Sequence, residues 1–163
     1  MKKILLILFL AGFTACSDKN GEKTGLEGRP LPVFNLLLAD SITHFNTQQI
    51  PKGKPIALFY FGPYCPYSHA QMEEIIDNMH SLQNIQFYVF TTWPYSDMRN
   101  FYTHYQLEKY PNITVGLDYT NFVGSYFHVK GVPYMAIYGK DKRLHQSFIG
   151  EISSNQIKRV AED

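Results

Sequence analysis

A chain of 163 residues with 45% hydrophobic and 15% aromatic content has the length and the apolar material for one packed domain. Its 15 basic residues stand against 14 acidic ones, so nothing in the charge asks for nucleic acid or an anionic surface. Six histidines are scattered, and no internal repeat, heptad pattern or phosphate-cradling glycine loop is present.

Met1-Lys2-Lys3 is a short basic start, and Ile4 to Phe13 is an apolar stretch too short to span a bilayer. It ends in Phe13-Thr14-Ala15-Cys16, which resembles a bacterial lipoprotein lipobox with Phe13 in place of the usual Leu. The expectation is a signal peptide over 1–15, a lipidated Cys16 and a polar, flexible tether to Gly28, with one domain over 29–163. The alternative is an ordinary secretory signal that contains a cysteine. On either reading the chain is exported, facing the periplasm or the cell exterior. Cleavage after residue 15 removes Lys2 and Lys3 and leaves 13 basic against 14 acidic residues. With Cys16 lipidated, Cys65 is the single free thiol and no disulfide within the chain can form.

From Pro30 onward strands and helices alternate. Val33 to Leu38 and Ile42 to Phe45 are short strands about an Asp40-Ser41 turn. Ile56 to Phe61 is a near-continuous apolar run, the mark of a strand covered on both faces. A helix follows Cys65, with Met72, Ile75, Ile76, Met79 and Leu82 at helical spacing. Ile85 to Phe90 is the next buried strand. Ser96 and Asp97 read as caps of a helix carrying Met98, Phe101, Tyr102 and Tyr105. Ile113 to Leu117 is a strand, and Thr120 reads as the cap of a short helix with Phe122, Val123, Tyr126 and Phe127. Tyr134 to Tyr138 and Leu144 to Phe148 form a hairpin, and Ser153 or Ser154 caps a last helix with Ile157 and Val160. Such βαβ alternation with a closing hairpin predicts a three-layer α/β/α domain.

Particular residues carry a family resemblance over roughly 28–160. Gly28-Arg29-Pro30-Leu31-Pro32-Val33-Phe34 is similar to the N-terminal hairpin, and Ile56 to Phe61 to the central strand, of the thioredoxin-like, membrane-anchored TlpA-like thiol–disulfide proteins of the bacterial periplasm. Tyr64-Cys65-Pro66-Tyr67-Ser68 stands where their Trp-Cys-x-x-Cys motif is expected, and Gly131-Val132-Pro133 resembles the segment whose cis-proline faces it. Gly150 also fits. The resemblance implies an α/β sandwich with a central mixed sheet and an N-terminal hairpin. It implies thiol–disulfide exchange with cysteine-containing proteins or a thiol reductant, and no cofactor.

The departures matter as much. Tyr64 replaces the usual Trp, and Ser68 replaces the second cysteine, giving a monothiol site. Phe59, six before Cys65, and Gln71, six after it, stand where relatives hold acid–base carboxylates. Peroxide reduction is disfavoured, because Ala57 to Tyr64 contains no Ser or Thr.

At a helix N-terminus, free amides and the helix dipole stabilise a thiolate. Cys65 is therefore the candidate nucleophile, with Ser68 as a hydrogen-bond donor to it, and Val132-Pro133 as an edge that pairs with an extended client. Tyr64, Tyr67, Trp93 and Tyr134 form a candidate aromatic rim, and the competing reading is that several of them are core or half-exposed filler in a Tyr-rich chain. The contrasting reading is a binding module without turnover, either holding clients or carrying copper on Cys65, His69, Met72 and Met135. Beside both stands the plain possibility of an inert cysteine in a degenerate site.

Overall fold

The computed structural model describes residues 18–163. The signal peptide and Cys16 lie outside the described residues.

The sheet has seven strands: β1 (Asn35–Leu38), β2 (His44–Asn46), β3 (Ile56–Tyr60), β4 (Gln86–Thr91), β5 (Ile113–Leu117), β6 (Tyr134–Tyr138) and β7 (Leu144–Ile149). Their spatial order is β2-β1-β5-β4-β3-β6-β7. β3, β4 and β5 run parallel; β6 is antiparallel to β3, and β1 to β5. This is the mixed sheet, with its N-terminal hairpin β1–β2, that the sequence predicts.

β3 is buried at every position, and its alternation divides the core. Ala57 and Phe59, followed by Phe61, point into one layer. There they meet Met72 and Ile75 of α1 (Pro66–Asp77), Leu82 of α2 (Met79–Leu82), Met98 and Phe101 of α3 (Tyr95–His104), and Ile157 and Val160 of α5 (Ser154–Glu162). Ile56, Leu58 and Tyr60 point into the other layer, against Phe34, Ile50 and Val123 of α4 (Phe122–Tyr126). Burying both faces accounts for the unbroken apolar run.

Several local expectations are corrected. The helix after Cys65 breaks at Asn78 (φ −106°, ψ 16°), whose side-chain amide donates to the Glu74 carbonyl at 2.9 Å. Asn competes with the helix for backbone groups in this way, and the apolar stripe resumes in α2. Ser96 and Asp97 do not cap α3: it starts one residue earlier behind Pro94, leaving both in its first turn. Thr120 does not cap α4. The buried Asp118 carboxylate does, accepting from the Phe122 and Val123 amides at 3.0 and 2.9 Å and from the Thr120 hydroxyl at 3.1 Å. Ser153 caps α5 by accepting from the Gln156 amide.

The described part of the expected tether lies along β7. The Glu22 amide donates to the Ser147 carbonyl (2.7 Å) and the Gly28 amide to the Leu144 carbonyl (2.7 Å), and the Leu144 amide donates to the Arg29 carbonyl (2.9 Å). Asp18 pairs with Arg159 at 2.7 Å. A polar segment satisfies the outer backbone groups of an edge strand as well as an apolar one does, which composition alone conceals.

Candidate functional site

The C-terminal ends of β3 and β4 and the start of β6 meet at one end of the sheet. The loop after β3 is pinned by the Phe61 amide on the Phe90 carbonyl (3.0 Å) and closed by the Cys65 amide on the Gly62 carbonyl (3.0 Å). Cys65 is the N-cap of α1, and Pro66 holds the first helical position, where its missing N–H costs nothing. The Ser68 and His69 amides are both spent on the Cys65 carbonyl, at 2.9 and 3.1 Å. Pro66 has no N–H, so the Tyr67 amide and the helix dipole are what the first turn offers to charge on sulfur.

Cys65 is free and half-buried. Its thiol donates to the Val132 carbonyl at 3.4 Å, and the Val132–Pro133 peptide bond is cis. The structure thus brings Cys65 and the expected docking edge together. Gly62 makes the close approach possible: a Cβ there would lie 2.8 Å from Val132 Cγ2 and 3.3 Å from Cys65 Cβ.

Ser68 is fully buried, and its Oγ accepts from the Gly62 amide at 3.1 Å. The recorded partner of that hydroxyl is the turn ahead of the cysteine rather than the sulfur. Gln71 is also fully buried. Its amide donates to the Ile152 carbonyl (3.1 Å) and its oxygen accepts from the Ile152 amide (2.7 Å), tying α1 to the segment before α5. Phe59 sits in the core beside Phe61. The two positions where the resemblance leads one to expect carboxylates are a backbone clamp and a core ring here.

Of the four aromatic rim candidates, Tyr64 and Tyr67 are 72% and 64% exposed, and Trp93 38%. Tyr134 is corrected: it is 2% exposed, because as the first residue of β6 it points into the second core layer.

The residues of the copper alternative have other partners. His69 Nδ1 lies 2.6 Å from the Tyr105 hydroxyl and Nε2 2.8 Å from the Pro63 carbonyl, so both ring nitrogens are taken. A carbonyl only accepts, so Nε2 carries a hydrogen, while Nδ1 is partnered by the Tyr105 hydroxyl, which also lies 3.3 Å from Glu73 Oε1. Burial, with the Glu73 charge, holds the Tyr105 phenol well above its usual range, which keeps it a donor. Met72 and Met135 are core residues. Among the described residues no group of three or more His, Cys, Asp or Glu is placed to hold a metal ion.

Sequence reasoning missed a cavity of about 270 Å³ beside the cysteine loop, between Pro63-Tyr64, His69 and α3. Asp97, Phe101 and His104 line it, four and three residues apart on α3. That spacing was visible, but Asp97 read as a cap and Phe101 as core.

No family model matches the chain. An uncharacterized protein of Haemophilus influenzae is 28% identical over 116 residues, 68% of this chain and 74% of that protein. Among solved structures, DsbF of Mycobacterium tuberculosis superposes with a TM-score of 0.66 at 20% identity, over 78% of this chain and 91% of that one. A secreted disulfide oxidoreductase of Mycobacterium tuberculosis gives 0.65 at 18% identity, over 78% and 92%. The thioredoxin domain of a thiol–disulfide oxidoreductase from Bacteroides vulgatus gives 0.64 at 11% identity, over 82% and 93%. The fold is thioredoxin-like.

Proposed function

We propose that this thioredoxin-like chain is an exported, lipid-anchored protein of thiol–disulfide handling, acting on extracytoplasmic proteins through the single nucleophile Cys65. The observation that carries the reading is the placement of a free, half-buried cysteine at the N-cap of α1, facing the carbonyl of Val132 ahead of Pro133. The lipobox-like Thr14-Ala15-Cys16 supports export and the anchor.

The chemistry balances without a second cysteine. The Cys65 thiolate attacks one sulfur of a client disulfide, a mixed disulfide forms, and the other client sulfur leaves as a thiolate. A different client thiolate then attacks the client sulfur of the mixed disulfide, which forms a new client disulfide and returns Cys65 as thiolate; this is isomerisation, with no net oxidation. Alternatively an external thiol attacks the Cys65 sulfur and releases the client sulfur as thiolate, and a second external thiol then frees Cys65, so the client is reduced as two external thiols become a disulfide. Ser68 takes no part as a resolving group, since an alkoxide is out of reach near neutral pH. The cysteine in the first half-reaction must surrender its hydrogen bond to Val132, which frees that carbonyl for the client backbone.

Alkylation of the full chain with iodoacetamide at pH 6 to 8 tests the reading, together with mass spectrometry of mixed disulfides trapped in membranes. Labelling faster than that of free cysteine and a trapped partner on Cys65 support it. Sluggish labelling with no trapped partner defeats it. A second reading, a client-holding module without turnover, is favoured by the exposed Tyr64 and Tyr67 rings flanking a thiol already held by a carbonyl. On that reading Cys65→Ser leaves partner binding intact.

A further inference from the structure

The cavity beside the cysteine loop has a character of its own. Its α3 wall is Asp97, Asn100, Phe101 and His104; its other wall is Pro63, Tyr64 and His69. At about 270 Å³ it falls below the roughly 300–1,000 Å³ of sites that take whole small molecules, and suits one long side chain. The lining contains one carboxylate and no Lys or Arg.

Asp97 is available to a cation. The ion pairs among the described residues are Arg143–Asp141 and Arg159–Asp18, and neither involves it. Arg99 on the same helix is turned elsewhere: it donates to the Ala39 carbonyl at 2.8 Å and lies over the Tyr102 ring, 5.2 Å from its centroid. The nearby Asp97 carboxylate holds the Tyr64 phenol above its usual value. Four rings line the space, from Tyr64, His69, Phe101 and His104. His69 has both nitrogens engaged, so it offers ring surface. A carboxylate among aromatic walls matches a guanidinium or ammonium on an apolar stem.

The position matters too. In the order β4-β3-β6, α3 follows β4 and Val132-Pro133 precedes β6, so the cavity and the docking edge flank Cys65 on opposite sides. An extended segment paired at Val132 would have to cross Cys65 to reach the cavity.

We propose that this cavity takes the basic side chain, arginine above all, of a client residue close to the cysteine that Cys65 attacks. The inference rests on the thiol–disulfide reading and names the substrate class for it: disulfides with a flanking basic residue. An acidic flanking residue is disfavoured, since it would meet Asp97.

The test uses the full chain and two short amidated peptides carrying a pyridyl-activated cysteine disulfide. They differ only beside that cysteine, arginine in one and norleucine in the other. Release of thiopyridone reports attack by Cys65. The arginine peptide is expected to react about tenfold faster, a preference of the size an ion pair and a cation–π contact together supply. Asp97→Asn is expected to bring the ratio near one, and added salt to reduce it. Each protein is its own reference, so a general change in thiol reactivity leaves the ratio untouched. A wild-type ratio near one, or an undiminished ratio in Asp97→Asn, overturns the proposal. If neither peptide reacts, the thiol–disulfide reading fails by itself. The pocket is then judged by equilibrium binding of the two serine-containing counterparts to Cys65→Ser: arginine-selective binding lost on Asp97→Asn upholds it, and equal binding overturns it.

Discussion

The Cys65 thiol donates to the Val132 carbonyl oxygen across 3.4 Å, so the proposed nucleophile and the proposed docking edge occupy each other in the free protein. On the proposed reading a client displaces this contact twice over, once by taking the sulfur and once by pairing with the strand edge. On that reading the carbonyl keeps the thiol occupied, and so quiet, until a partner claims the carbonyl.

Gly62→Ala probes that contact directly. The new Cβ would sit 2.8 Å from Val132 Cγ2 and 3.3 Å from Cys65 Cβ, distances that force the two segments apart. The expected cost in stability is about 1–3 kcal/mol, the range of an overpacked core. Cys65, released from the Val132 carbonyl, is expected to alkylate faster at fixed pH. A denaturation curve beside an iodoacetamide rate checks both, and slower labelling in a folded variant would refute the quieting role.

Ser68 separates structure from chemistry. Ser68→Ala leaves the Gly62 amide without its acceptor, and is expected to cost about 1–3 kcal/mol in thermal or chemical unfolding. Ser68→Cys places a second thiol three residues on, across one helical turn from Cys65. It is expected to install insulin disulfide reduction that the parent lacks, because the mixed disulfide then has an internal resolving thiol. Absence of any gain would mean that the pair cannot close.

The main lines of this site were legible in the sequence for physical reasons. Burial on both faces forces β3 into an unbroken apolar run, and Gly-Pro before Cys65 marks where strand gives way to helix. Elements that depend on partners distant in sequence were not legible. Glu22 and Gly28 of the polar segment 18–28 pair with β7 through backbone groups, which carry no compositional signal. Tyr134 is buried because of the layer it faces, and its type alone left rim and core open. The cavity needs Pro63 and His69 brought beside α3, a juxtaposition that helical spacing on α3 suggests but does not locate.

Gln71 tests whether the loss of a carboxylate at this position is structural. Gln71→Ala breaks both bonds to Ile152 and is expected to destabilise by about 2–3 kcal/mol. Gln71→Glu keeps an acceptor for the Ile152 amide but, when ionised, aims a second oxygen at the Ile152 carbonyl within the core. Burial raises such a carboxyl above its unfolded value of about 4.3. The protonated form therefore suits the fold, and the penalty of Gln71→Glu is expected to grow as pH rises from about 4 toward 7. Stability measured across that range, relative to the parent, decides it; a penalty that does not vary with pH would mean that the ring of contacts around Gln71 opens to solvent.

Tyr134 supplies the opposite case, a buried polar group without a partner. Neither its hydroxyl nor the nearby Ser147 hydroxyl is hydrogen-bonded, and burial pushes the phenol up to about 12. The unfolded phenol titrates near about 10, so the folded state favours the neutral form. Its contribution is fully present below pH 10 and is lost as pH rises through about 12. Tyr134→Phe removes both the unpaired hydroxyl and the ionisation. It is expected to stabilise the protein by about 1 kcal/mol at neutral pH and by more between pH 10 and 12. Tyr88, also pushed up to about 12 by burial, still titrates in that variant, so alkaline unfolding shifts upward in pH without disappearing. Unfolding free energies of parent and variant at pH 7, 10 and 11 check the prediction. Destabilisation at pH 7 would show instead that the Tyr134 hydroxyl is satisfied in solution.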